Sequence, residues 1–325
     1  MEFKNAEHFN FQLSQNAYKT YKEDLNRNKK IKISFNCVDT HGIIISNDLL
    51  KLWFQNKTNF IFEVNTENPD FLIFDVFGKK NLNPKYKDSI KIAYYTENSI
   101  PDFNYADFAI SQAHIMYLDR YIKYPDFIPA LSKIKNYDII KIRNNAINSD
   151  KKKFCAAVIS NFFTAKNFRF IFFNELNKYK KIDMGGRLFN NVGEYVEDKI
   201  KFLSSYKFSF SMENSEGDGY ISEKIIDSFL AGTIPIYYGD YMFDEFINPK
   251  SFILIRGKKD IKQKIEYIKK IDNDDKLYRK ILKENIFNEN YIKVQEQIQN
   301  EKIKFLENIF LNEKIKAKRA DKTYF

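Results

Sequence analysis

Cysteine and histidine are nearly missing from this chain: two and three residues among 325. Cys37 and Cys155 are far apart and fit no CxxC or zinc spacing, so they read as buried thiols rather than a disulfide or a metal site. His8, His41 and His114 have no ligand spacing either, which leaves no metal centre legible. The ten glycines form neither a GxGxxG fingerprint nor a Walker loop. No segment reaches about eighteen uninterrupted apolar residues, so no membrane-spanning helix is expected. The opening MEFKNAEHFNFQLSQNAYKTYKED breaks every apolar run with Asn, Gln, Lys or Glu, which excludes a signal-peptide core and points to a cytoplasmic protein.

What is present suits a soluble globular protein. Hydrophobic residues make up 44% and charged residues 30%, with no long polar tract or tandem repeat, and the length fits two domains better than one core. The net charge of +10 invites a nucleic-acid partner. No zinc finger, RNP motif or basic recognition helix accompanies it, and the abundance of Lys, Asn, Ile, Phe and Tyr reads as a compositional bias. A smaller anionic partner, a sugar diphosphate or an anionic membrane surface, fits the charge as well.

Apolar runs alternate with polar segments along most of the chain. Residues 31–37, 59–64, 71–78 and 90–98 read as strands, with a helix expected over 46–57. A second series starts near 150: strand 154–160, helix 169–180, strand 182–184, helix 197–206, strand 208–212, helix 223–231, then strands 234–238 and 251–255. This alternation predicts an α/β fold with parallel, doubly wound sheets in two domains, 1–150 and 151–300. Beyond Gly257 the pattern is helical and charged, and residues 301–325 read as a basic amphipathic tail that either docks on the protein, stays solvated or touches anionic lipid. Asp272-Asn273-Asp274 spells DxD, but it sits in a Lys-rich helical region with no strand before it and reads as a solvated turn.

The densest stretch is GYISEKIIDSFLAGTIPIYYGD, residues 219–240. It follows strand FSFSM and a polar loop, with Ser222 as N-cap and Glu223 and Lys224 in the first helical turn. Ligands of open parallel sheets bind where strand carboxyl ends lead into helix starts, and such a start with a lysine suits a phosphate. Ile225, Ile226, Phe229 and Leu230 form a buried stripe, and Pro235 opens the next strand. Spacing alone leaves an ordinary capped helix with an exposed ion pair equally open.

The run ENSEGDGYISEKIIDSFLAGTIPIYYGD resembles the signature of the alpha-1,3/4-fucosyltransferases, glycosyltransferase family 10. Upstream, FCAAVISN, Arg169 with FFNEL, and DMGGRLFNNVGEYVEDKIKFLSSYKFSFSMENS are similar to further family segments, so residues 150–256 are covered well. PDFLIFDVFG, KIAYYTENSIPDFN, YADFAIS and Asp119-Arg120-Tyr121 resemble first-half motifs of bacterial members more loosely.

The resemblance implies a GT-B fold of two Rossmann-like domains facing a cleft, the first binding an oligosaccharide acceptor and the second GDP-fucose. It implies inverting transfer of L-fucose to a hydroxyl of GlcNAc or Glc, alpha-1,3 linked, in a cell-surface glycan such as glycoprotein or lipopolysaccharide. Carried over by residue, Glu97 is the general base and Arg169 and Lys224 hold the diphosphate, while Ser160, Asn161, Asn214 and Tyr220 line the nucleotide pocket and Glu223 binds ribose or fucose hydroxyls. Taken singly, Glu97 also reads as a surface acid, Arg169 as a helix-start charge and Tyr220 as a packed loop aromatic. No cofactor or metal is required on this reading, a divalent cation being at most stimulatory. Nucleic acid is not an expected partner, and peripheral contact with an anionic membrane is assigned to the tail. The rivals are a GT-B transferase using another GDP-sugar and a non-catalytic protein that binds sugar nucleotides or nucleic acid.

Overall fold

The computed structural model describes residues 29–36, 60–77, 80–125, 127, 139–149, 153–160, 167–187, 189–214, 219–240 and 246–311. Contacts divide the chain into two units. The first takes the described residues of Met1–Ser111, Ile115–Lys123 and Ile298–Phe325, and the second those of Gln112–His114 and Tyr124–Gln297.

The first unit holds strands β1 (Lys29–Asn36), β2 (Phe60–Val64), β3 (Phe71–Phe74), β4 (Ile90–Tyr95), β5 (Phe108–Ser111) and β6 (Tyr121–Lys123). They form one sheet in the order β2-β1-β3-β4-β5-β6, parallel throughout. The expected strands are all present within a few residues. The helix expected over 46–57 lies outside the described residues, as do Cys37, His8 and His41. Strands β3 and β5 are buried at every position, as strands covered on both faces must be.

The second unit adds helix α1 (Ile139–Asn148), strand β7 (Lys153–Ala157), helix α2 (Asn167–Asn177), β8 (Ile182–Met184), α3 (Lys199–Leu203), β9 (Tyr206–Met212), α4 (Lys224–Leu230), β10 (Ile234–Tyr238), β11 (Ile253–Leu254), α5 (Ile261–Asn273) and α6 (Asp275–Lys283). Its sheet is parallel in the order β11-β10-β9-β7-β8. Strand order reverses between β7 and β9, the position where open α/β sheets leave a crevice at the strand carboxyl ends.

The sequence FSFSM explains how β9 sits between two layers. Phe208, Phe210 and Met212 enter the main core with Ile234, Ile236 and Tyr238. Ser209 and Ser211 face the other way, and their hydroxyls meet Thr233 Oγ1 at 2.8 Å and Ser228 Oγ at 2.5 Å. Small polar side chains let α4 approach the sheet closely while every hydroxyl keeps a partner.

Two contact patterns run differently from cuts at residues 150 and 301. Helix α1 packs on α6 and α4, and Arg143 Nη2 donates to the carbonyls of Ile281 and Glu284 at 3.1 and 3.2 Å, so this segment belongs with the second unit. Residues 301–311 are the last turns of helix α7 (Tyr291–Leu311). There Ile303, Leu306, Ile309 and Phe310 are buried, and the Phe310 ring meets Phe60, Phe62 and Phe71 at 6.0, 5.4 and 4.9 Å. An apolar stripe at helical spacing is worth more under a sheet than on solvent, about 1.5–3 kcal/mol for each large side chain. The basic stretch 312–325 lies outside the described residues. No helix among the described residues is long and apolar enough to cross a membrane.

The DxD string is not a solvated turn. Asp272, 8% exposed, accepts from the Tyr179 hydroxyl at 2.9 Å, pairs with the Lys180 ammonium and lies 3.3 Å from Lys207 Nζ. Burial would raise its carboxyl pKa, but Lys180, Tyr179 and Lys207 outweigh that and hold it below the ordinary carboxylate range. Because the folded value lies below the unfolded one, the pair stabilises the fold above the unfolded pKa and is lost as pH falls through the folded one. Asp272→Asn should therefore cost about 1–3 kcal/mol near pH 7 and flatten the acid limb of a denaturation-versus-pH curve below about pH 4. An unchanged acid limb would refute the assignment.

Candidate functional site

Strands β7, β9 and β10 end side by side, and the residues that follow them gather most of the expected donor positions. Glu213 comes directly after β9, and its backbone N–H donates to the Tyr238 carbonyl at 2.8 Å, which fixes it against the end of β10. Its side chain is fully buried and works as a hub. Oε1 accepts from the Ser222 backbone N–H and from Ser222 Oγ, both at 2.8 Å, and Oε2 accepts from Lys224 Nζ at 2.9 Å. Lys224 Nζ also donates to Ser222 Oγ at 2.9 Å.

Burial alone would pull the Lys224 ammonium toward its neutral form. The charges of Glu213, Glu223 and Tyr220 outweigh it and hold its pKa well above the ordinary lysine value, so the cation is fixed. Arg169, on the first turn of α2 and 1% exposed, reaches the same place: its Nη1 donates to Asn214 Oδ1 at 2.5 Å. Burial lowers the Arg169 pKa to about 10, with Glu213 and Tyr220 opposing, and the guanidinium stays charged at neutral pH. Tyr220 is 4% exposed beside these groups.

Thus Arg169, Asn214, Tyr220 and Lys224 converge on one edge, at the strand-order reversal. Ser160, exposed, follows β7 on that same edge, and Asn161 lies outside the described residues. The Glu223 carboxylate, whose charge also acts on Lys224, lies 3.7 Å from Lys199 Nζ of α3, which in turn bonds Asp227 at 2.9 Å. The helix begins one residue later than expected, with Glu223 at the cap position and Ser222 Oγ 3.4 Å from the Lys224 N–H. Helix α4 has seven residues, too few for a strong dipole.

Sequence reasoning missed Glu213 as a functional position. Its signal was available, an acid at the carboxyl end of a buried strand, four residues from a glycine-bounded turn. It also missed the partners of that turn. Gly219 has φ +97, and a Cβ there would lie 1.9 Å from the Gln112 carbonyl oxygen. Gln112 Oε1 in turn accepts the Ile221 N–H at 3.0 Å. Gly219→Ala combines an unfavourable backbone region with a backbone clash, and should lower stability by about 1–3 kcal/mol or more. A thermal melt of that variant matching the wild type would overturn this close approach.

In the first unit, Glu97 follows β4 at the carboxyl end of the sheet and is half-buried; its carbonyl accepts the Ser99 N–H at 2.8 Å. Apolar side chains stand out along the loops after β4 and β5: Ile100, Met116 and Leu118 are 69%, 83% and 90% exposed, and Leu118 has φ +48. Phe103 and Tyr117 stack at 4.0 Å with the Arg120 guanidinium over both rings. Among the described residues, no group of three His, Cys, Asp or Glu side chains is placed to hold a metal ion. Two cavities, about 580 and 440 Å³, lie along α6 and between α1 and residues 282–291, and no donor-edge residue lines either.

Comparison with known proteins agrees with this layout. Residues 148–322 match the family described as glycosyltransferase family 10 (fucosyltransferase), C-terminal part, and residues 35–129 match the alpha-(1,3)-fucosyltransferase FucT N-terminal domain. The chain is 30% identical over 250 residues to the alpha-(1,3)-fucosyltransferase FucT of Helicobacter pylori, covering 68% of this chain and 52% of that protein. It is 36% identical over 132 residues to the Homo sapiens 4-galactosyl-N-acetylglucosaminide 3-alpha-L-fucosyltransferase 9, covering 39% and 36%. The chain therefore spans about half or less of the length of these relatives. A crystal structure of an alpha1,3-fucosyltransferase with GDP-fucose superposes with a TM-score of 0.70 at 25% identity, over 91% of this chain and 97% of that one. With its two parallel α/β sheets, the chain has the GT-B fold.

Proposed function

Because the chain belongs to glycosyltransferase family 10, the fucosyltransferases, we propose that it moves L-fucose from GDP-fucose to a hydroxyl of a GlcNAc or Glc unit in a cell-surface glycan, alpha-1,3 linked and with inversion. The observation that carries this reading is the convergence of Lys224 and Arg169, through Glu213 and Asn214, at the strand-order reversal of the second sheet.

On this reading the acceptor oxygen bonds to the fucose anomeric carbon as the bond from that carbon to the β-phosphate oxygen breaks. Glu97 takes the acceptor proton. The electron pair of the broken bond leaves on GDP, and Lys224 and Arg169 meet the charge that builds on the diphosphate. Fixed cations of this kind act where a metal ion otherwise would, so activity should persist in excess chelator, with divalent ions at most stimulating. Ser160, Asn161, Asn214 and Tyr220 line the nucleotide, and Glu223 binds a ribose or fucose hydroxyl. The exposed apolar loops after β4 and β5 suit the acceptor's ring faces. We place the protein in the cytoplasm, with the basic residues 312–325 making peripheral contact with the anionic inner face of the membrane.

The test is a nucleotide panel read by thermal shift, followed by product analysis with lactose, N-acetyllactosamine and type 1 acceptors. GDP and GDP-fucose should raise Tm selectively, by the mass-action term of about 2.7 kcal/mol at a hundredfold excess over Kd. Stabilisation by another GDP-sugar with no fucosylated product would replace fucose with that sugar. Indifference to nucleotides with salt-sensitive RNA binding would retire the enzyme reading.

A further inference from the structure

One titratable pair at the donor edge is unused by the reaction above. His114 Nε2 lies 3.3 Å from Asp240 Oδ2. The Asp240 carboxylate is fully buried, and the imidazole keeps 25% of its surface exposed. Asp240 stands two residues past β10, as Glu213 stands one past β9, and β9 and β10 are paired neighbours. The Tyr237 hydroxyl is buried, and its pKa is pushed well up by burial and then by the charges of Glu213 and Asp240. His114 also borders the segment that leads to Lys224, since a Cβ on Gly219 would come 3.2 Å from its Cδ2.

We propose that His114, oriented by Asp240, is a further donor-recognition residue: a third cation for the diphosphate, taking up a proton from solvent as the anion binds. The inference rests on the fucosyltransferase reading. The physical reason is a charge problem. Glu213, Glu223, Asp227 and Asp240 bring four carboxylates to this edge against Lys224, Arg169 and Lys199, and the ligand brings more negative charge. A buried carboxylate one strand from the phosphate site repels it unless a proton sits between them. An imidazole held by that carboxylate supplies the proton on demand, and the carboxylate stabilises the imidazolium that forms. Asp240 acts on the buried Tyr237 hydroxyl of β10, and Glu213 at the end of β9 and Tyr220 on the loop between β9 and α4 act on that same hydroxyl.

The experiment compares wild type, His114→Gln and Asp240→Asn, each checked for folding by circular dichroism, in GDP and guanosine binding and in donor kinetics. Loss of one charge-assisted contact should weaken GDP by about tenfold to a hundredfold in His114→Gln. Guanosine affinity should be unchanged, and the donor KM should rise. Wild-type GDP affinity should fall from pH 6.5 to 8.5 more steeply than that of His114→Gln, because binding raises the ring's proton affinity; ionisation of GDP itself cancels in the comparison. His114→Lys should restore part of the GDP affinity. Equal losses for GDP and guanosine, or identical pH slopes, would overturn the inference. A wild type that ignores GDP but binds another nucleoside diphosphate would overturn the fucose reading instead, and the same variants then run with that nucleotide.

Discussion

Lys224→Ala should lose donor affinity, turnover and stability together. The ammonium is both the proposed diphosphate contact and the partner of a fully buried carboxylate, at 2.9 Å from Glu213 Oε2. Removing it leaves Glu213 with Ser222 as its hydrogen-bond donor and a buried negative charge beside the phosphate position. Breaking one side of a buried pair costs about 3–5 kcal/mol, and removing a charge-stabilising donor costs about a hundredfold to a thousandfold in turnover. The double variant Lys224→Met with Glu213→Gln separates the two effects. It removes the unpaired charge, so it should regain much of the melting temperature while GDP binding and turnover stay low. Recovery of turnover along with stability would mean that Lys224 serves folding alone.

Glu97→Ala should separate what Lys224→Ala loses together, with turnover down by about a hundredfold to ten-thousandfold, the range of a positioned general base, and GDP stabilisation intact. The split is expected because Glu97 belongs to the first unit and every donor contact described above belongs to the second. Glu97→Gln should be as inactive as the alanine variant, since an amide keeps the shape and loses the basicity. Normal turnover by either variant would remove Glu97 from the reaction.

Much of this layout was legible because the relevant signals are local. Burial on both faces makes β3, β5, β9 and β10 continuous apolar or aromatic-serine runs, and strand-helix alternation forces parallel order. The pairing of β9 with α4 across Ser209, Ser211 and Thr233 is written in FSFSM and AGT, where small side chains alternate with large ones. Asp272 was misread because a helix-end DxD among lysines has the same pattern whether it faces water or buries three donors. The distinction depends on Tyr179, Lys180 and Lys207, which arrive from other elements. The approach of Lys199 on α3 to Glu223 was hidden for a similar reason, since that lysine arrives from another element.

By itself, the sequence determined the α/β class, most of the strands and the family, because periodicity, strand length and motif spacing are properties of short segments. Tertiary structure alone decided that Glu213 is the buried hub, that the aromatic end of α7 lies under the first sheet, and that His114 meets Asp240 across 126 residues. Each of these depends on charges or rings from distant segments sharing one desolvated place. The energy of that sharing comes from burial and Coulomb terms set by distance in space, which spacing along the chain does not record.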